Sequence, residues 1–166
     1  MKRLFTILAI ASALASCGIY SFTGTSIQSD VKTIEIDFVE YKALKVNPSL
    51  SNDLTEAIRQ RFRQFTKLEQ LEENADLELS GQIVGYEIRP TAITAQEVAA
   101  QNRLTVTVKF DFTNNKYPED SWNGKSFSAY ADYDSNNSLD AVESSLCAEI
   151  IDKLVEDIFN ASVAQW

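Results

Sequence analysis

Few side chains in this sequence can do covalent or acid–base chemistry. There are two cysteines, Cys17 and Cys147, and no histidine. Without histidine the chain lacks the commonest general base, the commonest metal ligand and the usual switch near neutral pH. No Cys/His cluster offers a zinc site. The five glycines do not form a phosphate-binding pattern. A serine nucleophile would need another base, and no Gly-x-Ser-x-Gly element is present. Paired carboxylates remain, Glu72 with Glu73 and Asp132 with Asp134. They are the candidates for acid/base work or for a cation, but neighbouring surface carboxylates are commonly solvated charge, and the spacing is not that of a calcium loop. The expectation is a protein that is not an enzyme and holds no metal or cofactor beyond any covalent lipid.

Cys17 is different because of what precedes it. Met1-Lys2-Arg3 is a positive head, and Leu4 to Leu14 is an apolar run of signal-peptide length, short for a bilayer span. It ends in Leu14-Ala15-Ser16-Cys17, small residues ahead of a cysteine at the cut, which is the lipobox of an exported lipoprotein. Residues 1–16 are therefore expected to be a cleaved signal. Cys17 is expected to carry the acyl chains, each buried methylene contributing about 0.8 kcal/mol to membrane anchoring. Cys147 is then alone and has no intramolecular disulfide partner. It borders an apolar helical stripe and reads as a small core residue.

Loss of Lys2 and Arg3 with the signal leaves 13 basic against 24 acidic residues. So acidic a chain has no general attraction to nucleic acid or to a bare anionic lipid surface. Its membrane partner is expected to be reached through the lipid alone. The 150 residues left suffice for one cored domain.

Residues 17–30, rich in Gly, Ser and Thr with Tyr20 and Phe22 embedded, read as a tether, and 31–166 as a single domain. Ile34, Ile36 and Phe38 alternate with Glu35 and Asp37, which predicts a strand over 32–41 with one buried face. Asn47-Pro48 opens a helix whose stripe is Leu50, Leu54, Ile58, Phe62 and Phe65. Arg59, Arg61, Arg63 and Lys67 decorate it, the ordinary pattern of a solvated face. Ala75, Leu77, Leu79, Gly81 and Ile83 predict a second strand running to about Ile88, stopped by Arg89-Pro90. Leu104 through Phe112 alternate most cleanly and form a third. A fourth spans about 122–133 with Phe127, Ala129, Ala131 and Tyr133 on one face and Ser126 and Ser128 on the other. After the cap-rich loop 134–138, a last helix covers about Leu139 to Val163. Its stripe is Leu139, Val142, Leu146, Ile150, Leu154 and Ile158. The fold class is α+β, in the order strand, helix, three strands, helix: two helices on one face of a four-stranded mixed sheet.

Four segments together resemble the LPS-assembly lipoprotein family (LptE), in its Bacteroidetes-type form. They are Cys17-Gly18-Ile19-Tyr20-Ser21-Phe22-Thr23-Gly24, Asn102-Arg103-Leu104-Thr105-Val106-Thr107-Val108, Phe127-Ser128-Ala129-Tyr130-Ala131-Asp132-Tyr133-Asp134 and Leu154-Val155-Glu156-Asp157-Ile158-Phe159-Asn160. The first and third are the specific ones. The resemblance implies an outer-membrane lipoprotein that plugs the LptD β-barrel, assists its assembly and helps deliver lipopolysaccharide to the outer leaflet. It would be lipid-anchored, facing the periplasm or the barrel lumen. A subunit of another envelope secretion or transport complex is the alternative. Arg89 and Arg103 flank the 90–102 connection and are the candidate lipopolysaccharide ligands, since a guanidinium fork suits phosphate and acidic-sugar oxyanions.

Overall fold

The computed structural model describes residues 27–45, 47–91 and 101–163. The signal, Cys17, most of the tether and most of the 91–101 connection lie outside the described residues. The elements are β1 (Thr33–Ile36), β2 (Glu40–Tyr41), α1 (Leu50–Phe65), β3 (Glu69–Leu71), β4 (Leu77–Pro90), β5 (Gln101–Asn114), a 3-10 turn (Pro118–Asp120), β6 (Trp122–Asp134) and α2 (Leu139–Val163). Two helices lie against a mixed sheet, so the α+β class stands. The sheet, however, has six strands where four were expected, ordered β3-β1-β4-β5-β6 with β2 also beside β4.

The two added strands have different origins. β1 and β2 are one expected strand broken in two. Ile36 pairs with Leu79 and Glu40 with Gln82, so four steps on one strand answer three on its parallel neighbour. One inserted residue exchanges the faces of everything after it. Val39 consequently takes the core position, fully buried, and Phe38, expected inside, is 56 % exposed. β3 is three residues long and pairs in parallel with β1, too short to show a period.

Elsewhere the periodicity translates directly into burial. Leu104, Val106, Val108, Phe110 and Phe112 of β5 are all buried, as are Phe127, Ala129, Ala131 and Tyr133 of β6. β4 runs two residues past Ile88 and pairs with β5 antiparallel from Leu77↔Asn114 to Pro90↔Asn102. Asn47 caps α1 by accepting bonds from the Ser49 and Leu50 amides at 3.2 and 3.1 Å. Phe65, expected in the α1 stripe, is exposed, its ring 4.2 Å from the Arg61 guanidinium. α2 buries a wider face than expected because Cys147, Ile151, Val155 and Phe159 join its stripe. They pack against α1, Phe159 meeting Phe62 edge-on at 5.1 Å. Asn47 meets Cys147 at the other end, so the helices run side by side in one direction.

These pairings give the sheet two distinct ends. At one end, Leu77, Asn114 and Trp122 lie beneath the last turn of α2, whose Ala161 carbonyl accepts the Trp122 indole N–H. The described chain enters here: Ile27 packs on the core, Gln28 donates to Asp120 at 2.7 Å and Tyr117 donates to Asp30 at 3.0 Å. Asp76 accepts the Lys32 and Thr33 amides and pairs with Lys116 at 3.1 Å. The other end carries Pro90, Asn102 and Asp134. Between the ends, the face away from the helices is polar, with Ser80, Gln82, Thr105, Thr107, Ser126 and Ser128 pointing outward.

Candidate functional site

The β4–β5–β6 register brings the two candidate arginines together at the end remote from Ile27. Arg89 lies directly opposite Arg103, and Arg103 directly opposite Asp132. Side chains opposite one another on an antiparallel pair are about 4.5–5.5 Å apart at Cβ. Two cations facing each other at that range repel unless something answers them. Each arginine here has its own answer. Arg103 donates from Nε and a terminal nitrogen to the two Asp132 oxygens at 2.7 and 2.8 Å, a bidentate pair. Its guanidinium also lies 3.7 Å from the centre of the Tyr130 ring. Arg89 donates to Glu87 at 2.6 Å, but its side chain is 77 % exposed.

Both arginines therefore make local ion pairs, and the two pairs differ in kind. Arg103 is fixed by a carboxylate and an aromatic face. Arg89 is held at one point and stands in solvent, where an exposed pair contributes little. The Arg103 hydrogen bonds hold the Asp132 carboxyl below its ordinary value against an opposing desolvation, and the Arg103 and Lys153 charges add in the same direction as the bonds. Lys153 reaches over from α2 to the Tyr130 carbonyl at 2.9 Å and to Glu149 at 2.7 Å. Arg89, Arg103, Tyr130 and Lys153 thus make a cationic and aromatic corner on an acidic molecule.

Sequence reading did not find Tyr130, Asp132 and Lys153 as members of this corner. They come from two places in the chain, β6 and α2, both distant from Arg103, and only the strand register and the α2 docking bring them to it. The even spacing of Ser126, Ser128, Tyr130 and Asp132 was the available signal, since it put all four on one face.

The carboxylates considered for catalysis are otherwise engaged. Asp132 holds Arg103, and Asp134 accepts from the Asn136 amide and side chain at 2.8 Å in a local turn. Glu72 and Glu73 are exposed at the turn before β4. Among the described residues no three Cys, Asp or Glu side chains converge as a metal would need. Cys147 is buried, and desolvation first, then the nearby Glu143 charge, push its thiol pKa up although Tyr86 opposes. A thiol so placed stays protonated and unreactive. Among the described residues no helix is long and apolar enough to cross a membrane. Cys17 lies outside the described residues.

A family model described as "LptE: Lipopolysaccharide-assembly" matches residues 31–162. No curated protein matches the chain in sequence. Among solved structures, the hypothetical protein CT253 from Chlamydia trachomatis superposes with a TM-score of 0.53 at 10% identity, covering 81% of this chain and 99% of that one. A minor lipoprotein from Acinetobacter baumannii gives 0.47 at 17% identity, over 77% and 89% of the two chains. Lipoprotein GNA1162 from Neisseria meningitidis gives 0.41 at 13% identity, over 78% and 99%. At such identities the likeness concerns the fold alone.

Proposed function

The chain belongs to the LptE lipopolysaccharide-assembly family, and from that premise we propose that it is an outer-membrane lipoprotein that plugs an LptD-like β-barrel and helps pass lipopolysaccharide to the outer leaflet. The family match over 31–162 carries the proposal. The lipobox at Cys17 supplies the anchor, through acyl chains whose burial holds a soluble domain at a bilayer. The domain itself is two helices on one sheet, with a polar outer sheet face suited to a water-filled lumen.

Within this reading Arg89 and Arg103 are the lipopolysaccharide ligands. Arg89 offers its exposed fork directly. Arg103 keeps a fixed orientation through Asp132 and Tyr130, and an oxyanion would compete with Asp132 for it. Ala at both positions is expected to weaken lipopolysaccharide binding about tenfold or more, as loss of two charge-assisted contacts requires. The melting temperature should move little, because both pairs are exposed. Undiminished binding by the doubly substituted protein would remove the arginines from the site. The barrel assignment is tested separately, by mild-detergent capture of the full-length protein from outer membranes. A stoichiometric large β-barrel is expected, and a different partner would overturn the plug reading.

A further inference from the structure

Among the described residues, the sheet ends opposite β3 in β6, a 13-residue strand with a neighbour on one side only. Natural edge strands of this length are usually guarded by proline, bulges or charge, because a row of unpaired amides recruits another strand. Guards are present at two points of β6. Gly124, at φ +63°, sits at the irregularity opposite Phe110 and Phe112, its amide bound by the Asp111 carboxylate. Lys153 covers the Tyr130 carbonyl. Between them Lys125 to Ala129 is regular strand without proline or bulge, and its one charge, Lys125, lies over the Trp122 and Phe127 rings at 5.3 and 5.8 Å.

The direction of the free groups follows from the Lys153 bond. In an antiparallel ladder the N–H and C=O of one residue point to the same side, and successive residues alternate. Tyr130 turns its carbonyl away from β5 to meet Lys153, so Ser128 and Ser126 turn theirs away as well. Their side chains lie on the polar face, while Phe127 and Ala129, bonded to β5, face the helices and are buried.

We infer that the segment Tyr20–Gly24 of this same chain docks on this edge as a further antiparallel strand. Three observations converge on it. The first is position. Traced back from β1, the chain passes beneath the core, and Ile27 lies among Leu77, Phe112, Asp120, Ser162 and Val163, at the foot of β6. Gln28 is bonded to Asp120, two residues before β6 begins. Continuing from there up the β6 edge, the segment would run antiparallel to β6.

The second is length. Thr25 and Ser26 bridge past the Gly124 irregularity, and Tyr20–Gly24 then matches Lys125–Ala129 residue for residue, five against five. Lys153 closes the ladder above. The third is pattern. Tyr20 and Phe22 share one face of an extended segment and Ser21 and Thr23 the other. Paired residues across a ladder share a face, so the aromatic pair joins Phe127 and Ala129 beside α2, and the hydroxyl pair joins Ser126 and Ser128. A slip of one residue would destroy both matches. The segment is also rich in residues that favour extended structure.

The docked strand has a consequence that rests on the lipoprotein reading. It carries Cys17 to within three residues of Tyr20, level with Tyr130 and Asp132, so the acyl chains leave the domain beside the arginine corner. Undocked, the lipid would hang from the opposite end of the sheet, about 30 Å away at about 3.3 Å per residue of strand.

Residue-resolved amide exchange on the processed chain in detergent micelles, compared with Phe22→Pro, tests this. Proline at 22 cannot sit in a paired strand segment, and position 22 precedes every described element of the fold. The Ser126 and Ser128 amides should exchange at least about tenfold more slowly in the natural chain than in Phe22→Pro, with Phe127 and Ala129 equally protected in both. Equal rates at Ser126 and Ser128 in the two proteins, whether fast or slow, would overturn the proposal. So would protection that arises only when a barrel partner is added, since the edge would then belong to that partner. None of these outcomes depends on whether lipopolysaccharide binds.

Discussion

Gly81 shows how much one hydrogen atom can decide. It faces Phe110 directly across the β4–β5 ladder, and the Phe110 ring lies over it, 1 % exposed. A Cβ at position 81 would overlap the ring carbons. The ring has no room to retreat, because Phe127 stands edge-on beside it at 6.5 Å. Gly81→Ala is therefore expected to destabilise the domain by about 1–3 kcal/mol, the usual cost of overpacking. A urea titration with unchanged slope and a lower midpoint would show it. Gly85 is a milder case: its Cβ would meet the Thr107 Cβ at 3.1 Å, and Thr107 sits on the open face with freedom to turn. The alternating pattern already put Gly81 on the core face. That a ring, and not a methyl, filled the space above it required the register.

At the scale of elements, the break between β1 and β2 is held by a side chain on α1. The Val39 amide is buried and donates to the Thr55 hydroxyl at 3.0 Å, and that hydroxyl donates to the Ser51 carbonyl at 2.6 Å. Thr55→Val keeps the volume and removes the acceptor. The orphaned Val39 N–H is expected to cost about 1–3 kcal/mol, whereas Thr55→Ser, which keeps the hydroxyl, should cost less. A larger loss for Thr55→Ser than for Thr55→Val, read from chemical denaturation, would show that the methyl and not the bond matters. The same region explains where sequence reading failed. Ile34-x-Ile36-x-Phe38 is a flawless alternation, and nothing in it announces that an extra residue will be accommodated at 37–39. The cause is tertiary: a buried threonine offers the Val39 amide a partner. By contrast β5, β6 and α2 were readable because each stands against a continuous apolar surface, so burial imposes its period on the sequence without interruption. β3 lacked even that, since Glu69 and Leu71 are exposed and only Gln70 turns inward. Of the candidate site, the two arginines were readable from the expected pairing of strands flanking a connection. Their partners Asp132 and Tyr130 were not, because residues about thirty positions away meet them only through the register.

For the molecule as a whole, the carboxylates set a response to pH that changes sign. Asp76 at the Ile27 end is held below its ordinary value near 3.8, first by the Lys32 amide, with Lys116 and the Thr33 amide helping and desolvation opposing. Asp132 at the other end is lowered by Arg103. Glu35 is shifted the opposite way, above its ordinary value near 4.5, by desolvation and then by Asp37, Glu78 and Glu73. Glu78 lies directly opposite it in the parallel ladder. A lowered acid stabilises the fold above its unfolded pKa, and that contribution is lost as pH falls through the folded value. A raised acid does the reverse: the folded protein binds its proton more readily, so stability is gained as pH falls through the folded value. The Glu35 window lies above 4.5 and the two aspartate windows below 3.8, so they are traversed in order. Partial neutralisation of a chain with nine more negative than positive charges acts in the same direction as Glu35. Stability is thus expected to rise modestly from about pH 7 to about pH 5 and to fall steeply below about pH 4. Urea midpoints across that range measure it. Glu35→Gln should flatten the rise and Asp76→Asn the fall, each leaving the other limb intact. A monotonic decline from neutrality in the natural protein would mean that the clustered acids at β1 and β4 are already relieved by solvent, and that the paired aspartates alone govern its acid response.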